Sequence, residues 1–507
     1  MAQRIAFDNE KYVQIQKQAI LDRIAKYDKK LYLEFGGKLF DDYHASRVLP
    51  GFASNAKIQT LLALKNKAEI VITVNCRDII SNKVRNDFGI TYSAEVERLI
   101  KAFSRLDLKI NSVVTSFYEP SPAIIEFEQK LKKLGVKMYK HYAIKGYPQN
   151  IPLILSDEGL GRNEYIKTTR PLVVVTAPGP GSGKMATCLS QLYHDNKNGI
   201  KSGYAKYETF PIWNLPLKHP VNLAYEAATV DLEDVNMIDP YHLEHYGVQT
   251  VNYNRDVEVF PLLKTIFTHI YGETPYYSPT DMGVNKAGFA IIDDEAAIEA
   301  SKAEIIRRYY GALKNNYLGR FKDDAVSKVE LLMNQLDIHP SDRKCVAACL
   351  KKAEESGEPS LALELPDGRM VTGKRSKQFG ACAALLINAL KTLGNIDDSL
   401  NLLSPSVLEP IGELKVKYLH NNNPRIHAEE VLIALALQSY SNPLAAIAMS
   451  QLSNLKGSQA HSSTILYDAD IAVFRKLGID VTEEPVSYIK NILDEHKYHP
   501  EKVLNNK

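Results

Sequence analysis

Short apolar runs alternate with longer segments of helical periodicity along the first three hundred residues. Helical spacing is clear at Asn55–Lys65 and Ala123–Leu134. The strand-like runs are Leu31–Phe35, Glu69–Val74, Asn111–Ser116, Val136–Tyr139 and Pro171–Thr176. Because strands that alternate with helices require crossover connections, the pattern predicts an α/β fold with a parallel, Rossmann-like sheet covered on both faces.

The pattern changes after residue 292. Residues 293–357 carry apolar side chains at helical spacing among many charges, which predicts a helical middle segment. Beyond it, Asp367-Gly368 between two apolar runs predicts a hairpin. Further strands are predicted at Leu444–Met449, Thr464–Leu466 and Ile479–Val481. The predicted domains are therefore 1–292, 293–357 and a smaller α/β domain over 358–507.

Composition narrows the class of protein. The 507 residues carry 62 Lys+Arg against 60 Asp+Glu, a net charge of +2, which argues against nucleic acid as a partner. No apolar stretch approaches the roughly 18 residues of a membrane span, and the first residues lack the apolar core of a signal peptide. Five sparse cysteines indicate reduced thiols and a cytoplasmic location. Base rates favour a homo-oligomer.

A glycine-rich turn is the strongest chemical signal. The segment from Thr176 to Thr187 reads TAPGPGSGKMAT and lies between a buried strand and a predicted helix. Free N–H groups at a helix N-terminus, together with the helix dipole, favour a bound phosphate. The residues predicted to bind one are Gly179, Gly181, Ser182, Gly183, Lys184 and Thr187. Lys184 would add a point charge to the backbone donors.

The spacing departs from the known nucleotide motifs. GxxxxGK[ST] requires glycine where this chain has Pro178 and serine or threonine where it has Met185. Pro180 also removes one backbone donor from the turn. One interpretation is a bound nucleotide with magnesium, which Thr187 would hold; the other is a purely structural strand–helix turn.

Polar residues on proline-rich and glycine-rich loops are candidates for catalysis, since functional groups concentrate on loops held by a rigid scaffold. His219 has the side chain for proton transfer. Glu226, Asp231 and Asp281 would orient a substrate or hold magnesium, and Arg255 would pair with an anion. The alternative is a set of satisfied loops with Asx and ST turns.

His427-Ala428-Glu429 at a predicted helix start is typical of a zinc deaminase. That site also needs Pro-Cys-x-x-Cys downstream, and no cysteine follows Cys382. Cys345 and Cys349 lie four residues apart on a predicted helix, a spacing more typical of packing than of metal binding. We therefore assign no metal site.

Four longer blocks together resemble one family: RPLVVVTAPGPGSGKMATCLSQLYH, YETFPIWNLPLKHPVNLAYEAATVDLEDVN, NYNRDVEVFPLL and SPTDMGVN. It is a family of uncharacterised bacterial proteins of about this length, known as a domain of unknown function, and the resemblance covers essentially the whole chain. Some members carry the label of ATP-dependent peptidase, to which this sequence gives no support: it has no His-Glu-x-x-His and no clear Ser/His/Asp set. The resemblance also implies a C-terminal part similar in fold to cytidine deaminases.

The sequence thus predicts an enzyme of unspecified reaction that binds a nucleotide or another phosphorylated small molecule at Gly179–Thr187. The alternative is a non-catalytic metabolite-binding protein or an oligomeric scaffold in which the glycine turn only packs. The substrate and the cofactor stay unassigned at this stage.

Overall fold

The computed structural model describes residues 4–27, 30–37, 39–40, 42–85, 89–320 and 324–486. They form two compact units, one over Ile5–Ser301 and one that begins at Lys302. The three-way division at residues 292 and 357 stays a prediction, and residues 487–507 of the predicted third domain lie outside the described part. No helix among the described residues is long and apolar enough to cross a membrane.

The first unit alternates strands and helices, as the apolar pattern predicts. Its strands are β1 (Leu31–Phe35), β2 (Ala68–Asn75), β3 (Val84–Arg85), β4 (Ile90–Thr91), β5 (Lys109–Ser116), β6 (Lys137–Lys140), β7 (Leu172–Thr176), β8 (Gly203–Tyr207), β9 (Asn236–Ile238) and β10 (Val251–Tyr253). Its helices are α1 (Asn9–Ala25), α2 (Tyr43–Val48), α3 (Ala56–Leu62), α4 (Cys76–Ile80), α5 (Tyr92–Arg105), α6 (Pro122–Lys133), α7 (Ile151–Ile154), α8 (Lys184–Lys197), α9 (Pro220–Ala228), α10 (Pro240–Tyr246), α11 (Asn254–Tyr271) and α12 (Pro279–Met282). Helix α13 (Asp294–Tyr317) contains the point of division.

Six of these strands form one sheet in the order β6-β5-β2-β7-β1-β8, and every neighbouring pair is parallel. The mixed α/β class and the parallel sheet are therefore confirmed. Helices α8 and α11 pack on one face through apolar side chains such as Leu192 and Phe267, against Tyr32 and Val173 of the sheet. The central strands are buried on both faces, which explains their continuous apolar sequences.

The second unit carries a smaller sheet. Its strands are β11 (Ser360–Glu364), β12 (Met370–Lys374), β13 (Gln459–Ser462) and β14 (Asp480–Glu483). The order is β12-β11-β13-β14; β11 is antiparallel to both neighbours, and β13 is parallel to β14. The helices are α14 (Asp324–Gln335), α15 (Lys344–Ser356), α16 (Ala381–Leu393), α17 (Pro405–Glu413), α18 (Ala428–Gln438), α19 (Pro443–Ser450) and α20 (Asp468–Lys476).

Two predicted strands of this unit are wrong. Leu444–Met449 lies within α19, where Pro443 occupies the first turn and the Asn442 side chain accepts a hydrogen bond from the Leu444 N–H. These are helix-start signals, and a short apolar run alone does not distinguish a strand from a buried helix. Thr464–Leu466 lies in no strand; the strand is β13, just before it.

Candidate functional site

The glycine-rich turn follows β7 at a point where the direction of the sheet reverses. Strands β2 and β7 are neighbours. From β2 the chain continues to β5 on one side, whereas from β7 it continues to β8 on the other side, beyond β1. In open parallel sheets the crevice at the carboxyl ends of two such strands is where ligands bind. The fold therefore places the strongest sequence signal at the position that the sheet topology favours.

Two neighbouring strands hold the turn in place. The Asn75 side chain at the end of β2 donates to the Gly181 carbonyl, with an N–O distance of 3.3 Å. The Ser116 hydroxyl at the end of β5 donates to the Ser182 carbonyl at 2.9 Å. Within the turn, the Ser182 hydroxyl donates to the Gly179 carbonyl at 2.8 Å. In these three hydrogen bonds the turn contributes carbonyl oxygens as acceptors. Its backbone N–H groups are not used by them and can donate to a ligand.

Close packing explains the glycines of the turn. A Cβ atom on Gly179 would lie 2.2 Å from the Tyr92 hydroxyl oxygen. Gly183 has a φ of +86° and a Cβ there would lie 2.8 Å from Ser116 Cβ. Gly181 has a φ of +70° and open space around it. Glycine is thus required at residue 179 for close approach and at residue 181 for its backbone conformation. At residue 183 it is required for both reasons.

Several donors of the turn have no acceptor. Gly183 caps α8 without a side-chain hydrogen bond, so the first N–H groups of this helix lack a capping oxygen. Among the described residues, no acceptor takes the N–H of Gly181, Gly183 or Lys184. The half-buried Lys184 ammonium has no carboxylate partner in that part of the chain either. Backbone donors, a helix dipole and one cation together favour an anion here.

Two carboxylates lie at the carboxyl ends of β1 and β8. Glu34 is 6% exposed, and the Tyr204 hydroxyl donates to its Oε2 at 2.7 Å. Glu208, just after β8, folds over Gly36: a Cβ on Gly36 would lie 2.0 Å from Glu208 Cγ. Glu34 pairs in register with Lys206. Since side chains two residues apart share a face, Glu34, Lys206 and Glu208 project from the same face of the sheet.

Lys206 balances part of this negative charge. Its Nζ lies 2.5 Å from Asp256 Oδ2 and 3.1 Å from Glu208 Oε2. Burial lowers the pKa of Lys206, but the carboxylates of Asp256, Glu208 and Glu34 outweigh burial and raise it above its ordinary value. Lys206 is therefore a fixed cation at neutral pH.

Cys188 links these carboxylates to the glycine turn. Burial raises the pKa of the Cys188 thiol well above its ordinary value; the Glu34 carboxylate raises it further, and the Lys184 ammonium lowers it. The Glu34 carboxylate and the Lys184 ammonium thus both act on the Cys188 sulfur, which lies one helical turn after the start of α8. The glycine turn, Glu34 and Glu208 all lie at the carboxyl ends of strands of the six-stranded sheet, and we call this part of the sheet edge the carboxyl-edge crevice.

Thr187 does not face this crevice. It is fully buried on α8, and its hydroxyl oxygen lies 3.5 Å from His141 Nδ1. Burial lowers the pKa of His141 to about 4, so this imidazole is neutral at pH 7. A neutral, buried pair of this kind is a packing contact between α8 and the end of β6. A magnesium-binding role for Thr187 stays a prediction of the sequence.

His219 is the N-cap of α9 and Glu226 lies on that helix, and both side chains form local hydrogen bonds. His219 caps α9 by accepting from the Val221 N–H at 3.3 Å, and its Nε2 lies 3.1 Å from Asp294 Oδ1. Burial lowers its pKa. Glu226 accepts from both the backbone and the side chain of Asn236, and burial raises its pKa.

The remaining predicted residues are also outside the crevice or already paired. Asp231 is exposed on a short turn. Asp281 forms a capping box with Ser278 at the start of α12. Arg255 lies 3.4 Å from Asp234 Oδ1. No hydrogen bond or ion pair between described residues joins His219, Glu226, Asp231 or Asp281 to the glycine turn, so these four assignments stay predictions.

The site residues predicted from the sequence do not include Glu34, Gly36 or Lys206. Nor does the sequence alone show that Glu208 lies at the same sheet edge as the glycine turn. A signal was present: Glu34 and Lys206 are charges within five-residue strands that are otherwise uncharged, LYLEF and GYAKY. A charge inside a buried strand must have a partner or a ligand. The glycines after LYLEF mark the same strand end.

In the second unit, His427 forms a capping box with Glu430, and its Nδ1 lies 3.3 Å from Asp470 Oδ2. The Ala428 N–H donates to the same carboxylate at 2.9 Å. These contacts explain the histidine as a helix start. Cys345 and Cys349 are buried and reduced. Across the described ranges, no three or more His, Cys, Asp or Glu side chains are placed to hold a metal ion.

The structure defines an α/β protein whose parallel sheet carries a glycine turn at its point of reversal. Residues 5–337 match the family described as the N-terminal domain of unknown function DUF1846, and residues 341–493 match the C-terminal domain of the same name. A UPF0371 protein of Streptococcus pyogenes serotype M5 (strain Manfredo) is 56% identical over 482 residues, which are 95% of this chain and 98% of that protein.

A UPF0371 protein of Streptococcus sanguinis (strain SK36) is 57% identical over 483 residues, again 95% of this chain and 98% of the relative. This chain belongs to the UPF0371 family and has both DUF1846 domains. The resemblance inferred from the four sequence blocks is thereby confirmed.

Proposed function

We propose that this protein binds a phosphorylated small molecule, a nucleotide included, at the glycine turn, and acts on it as an enzyme. One observation carries the proposal: the N–H groups of Gly181, Gly183 and Lys184 have no acceptor among the described residues, at the sheet's point of reversal. A phosphate supplies oxygen acceptors for all three and a counter-charge for Lys184.

The structural-turn alternative accounts less well for these groups. Most helices of the first unit have a side-chain cap; Asp8, Thr91 and Ser121 provide caps of this kind. The N-cap of α8 is Gly183, which has no side chain and adopts a left-handed φ. The space beside Gly181 is open, since no atom lies within 4 Å of its Cβ position.

The proposal includes a likeness to a known fold for each of the two units. The parallel sheet with a reversal point supports a Rossmann-like first unit. The histidine at the start of α18 supports a likeness of the second unit to cytidine deaminases, without the cysteines of the zinc site. A homo-oligomeric state and a cytoplasmic location stay predictions of the sequence.

The test is thermal unfolding with inorganic phosphate, ribose 5-phosphate and ATP, on the wild type and on Lys184→Ala. A ligand at about 100 times its dissociation constant stabilises the folded state by roughly 2.7 kcal/mol. Lys132→Ala is the matched control, because Lys132 is an exposed helical lysine elsewhere on the same unit.

We expect at least one phosphate compound to raise the melting temperature of the wild type and of Lys132→Ala, and to lose most of this effect in Lys184→Ala. If no phosphate compound shifts the wild type, the proposal is wrong and the structural turn is the better account. If Lys184→Ala and Lys132→Ala respond alike, phosphate binds elsewhere. Turnover of the stabilising compound, measured as product release, then decides between an enzyme and a non-catalytic binding protein.

A further inference from the structure

Glu34 is a buried carboxylate with one oxygen left over. It is 6% exposed, and its only hydrogen-bond partner among the described residues is the Tyr204 hydroxyl, at Oε2. Its Oε1 accepts nothing from that part of the chain. This oxygen is not one of the fully buried side-chain atoms that lack a partner, so a molecule in the solvent can reach it and donate a hydrogen bond to it.

Glu208 is the second carboxylate of the crevice, and glycine makes its position possible. Its Cγ and Oε1 lie where the side chain of residue 36 would be, 2.0 and 2.1 Å from that Cβ position. The side chain therefore extends from β8 across the end of β1, toward β7. About a fifth of the Glu208 side chain stays exposed, at 21%. It can accept a hydrogen bond from a molecule that lies on Gly36.

The glycine turn lies within reach of both carboxylates. Strand β1 lies between β7 and β8, so the ends of β7 and β8 are two strand spacings apart, about 10 Å. Glu208 covers part of this span by folding over Gly36, and Glu34 projects from the intervening strand.

We infer that the ligand is the phosphate ester of a polyhydroxylated compound, a sugar phosphate or the ribose phosphate part of a nucleotide, whose hydroxyl groups donate to Glu34 and Glu208. This inference rests on the proposed function, since it takes the phosphate to lie at the glycine turn. Hydroxyl groups match the site because they donate hydrogen bonds to carboxylates without adding negative charge, and Lys206 offsets part of the charge of Glu208. Glu34 and Glu208 are then the residues that select the ligand.

The test compares two esters that differ only in hydroxyl groups: ribose 5-phosphate and tetrahydrofurfuryl phosphate, which has the same ring without them. Binding is measured by titration calorimetry, in EDTA and in magnesium, on the wild type, Glu34→Gln and Glu208→Gln. Glutamine keeps the size of each side chain and can still accept from Tyr204 or lie over Gly36. Glu273→Gln is the control, because Glu273 is exposed in the same unit.

We expect the wild type and Glu273→Gln to prefer ribose 5-phosphate in EDTA, and each of the two crevice variants to bind it about tenfold to hundredfold more weakly while binding the hydroxyl-free ester unchanged. If Glu34→Gln fails to fold, Glu208→Gln alone decides the matter.

Three outcomes would overturn the inference. If the two esters bind equally and the crevice variants change neither, phosphate binds at the turn without hydroxyl recognition, and only the proposed function survives. If the preference for ribose 5-phosphate requires magnesium, a metal ion and not a hydroxyl lies between the carboxylates. If inorganic phosphate and both esters fail to bind, the proposed function itself is wrong.

Discussion

Glu208 occupies the space that a side chain on Gly36 would take, with its Cγ only 2.0 Å from the Cβ position of that glycine. The two residues are neighbours across β8 and β1, where the Gly36 N–H donates to the Tyr207 carbonyl at 2.9 Å. A missing side chain on one strand thus lets a carboxylate from the next strand reach the middle of the carboxyl-edge crevice. In the binding mode proposed above, recognition of a ligand at this edge depends on that pair.

Gly36→Ala should displace Glu208 and destabilise the first unit by about 1–3 kcal/mol, the usual cost of forcing an extra group into a packed site. Trp213 is the only tryptophan of the chain and lies in the first unit, so urea unfolding followed by its fluorescence measures this change. Lys132→Ala is the control: this exposed lysine lies on α6 of the same unit, and alanine there should leave the stability nearly unchanged. Equal stability of the Gly36→Ala variant and the wild type would contradict the packing described here.

Gly181→Ala and Gly183→Ala separate backbone strain from contact in the glycine turn. Both glycines have a positive φ, +70° and +86°, so each alanine should cost about 1–2 kcal/mol. Only residue 183 would also bring a Cβ to 2.8 Å from Ser116 Cβ, so Gly183→Ala should cost more. Chemical denaturation of both variants measures the difference between their unfolding free energies. Adding Ser116→Gly to Gly183→Ala should remove the extra loss of stability at residue 183. A larger cost at residue 181 would show that the contact with Ser116 is unimportant.

Lys206→Met should destabilise the first unit by about 3–5 kcal/mol, because it leaves the buried Asp256 carboxylate without its cation. The additional change Asp256→Asn should recover part of the loss by removing the uncompensated charge. Urea unfolding of the single and double variants, again through Trp213, gives both values. A double variant no more stable than Lys206→Met would mean that lost packing, and not the buried charge, causes the effect.

His141 should make the first unit less stable as the pH falls. Burial lowers its pKa from 6.5 to about 4, so below pH 6.5 the unfolded chain binds a proton that the folded chain does not bind until about pH 4. Proton binding therefore stabilises the unfolded state across this window, and the free energy of unfolding falls by roughly 3 kcal/mol by pH 4.

His141→Gln tests this, because glutamine can still hydrogen-bond the Glu164 carbonyl but does not titrate. The difference in unfolding free energy between the wild type and the variant should shrink as the pH falls from about 6.5 to about 4. His219, whose pKa burial also lowers, is present in both proteins and cancels in that difference. A difference that does not change with pH would show that His141 is not buried in its neutral form.

Much of the first unit can be predicted from its sequence. The valine-rich run at β7 and the glycines that follow it indicate a strand, a turn and a helix start, because buried parallel strands are continuously apolar and helix starts need special backbone conformations. Leu444–Met449 shows the limit of such reasoning: six apolar residues fit a strand or a buried helix equally well, and the Asn442 cap and Pro443 decided in favour of a helix.

The candidate catalytic residues show a second limit. His219, Glu226 and Asp281 have the side chains of catalysis, but each forms hydrogen bonds that complete a helix end or a strand edge. Residue type and loop position do not show which polar groups are already satisfied. That information depends on neighbours far along the chain, as with Asp294, which lies beside His219.

By itself, the sequence determined the family, the alternation of strands and helices, and the glycine turn, because these depend on residues that are close together along the chain. Only the tertiary structure decided that Glu34, Gly36 and Glu208 lie at the same edge of the sheet as Lys184. Glu34 and Glu208 are separated by more than 170 residues and meet only because β1 lies between β7 and β8. The order of strands in a sheet is set by packing of the whole chain, which no local pattern records.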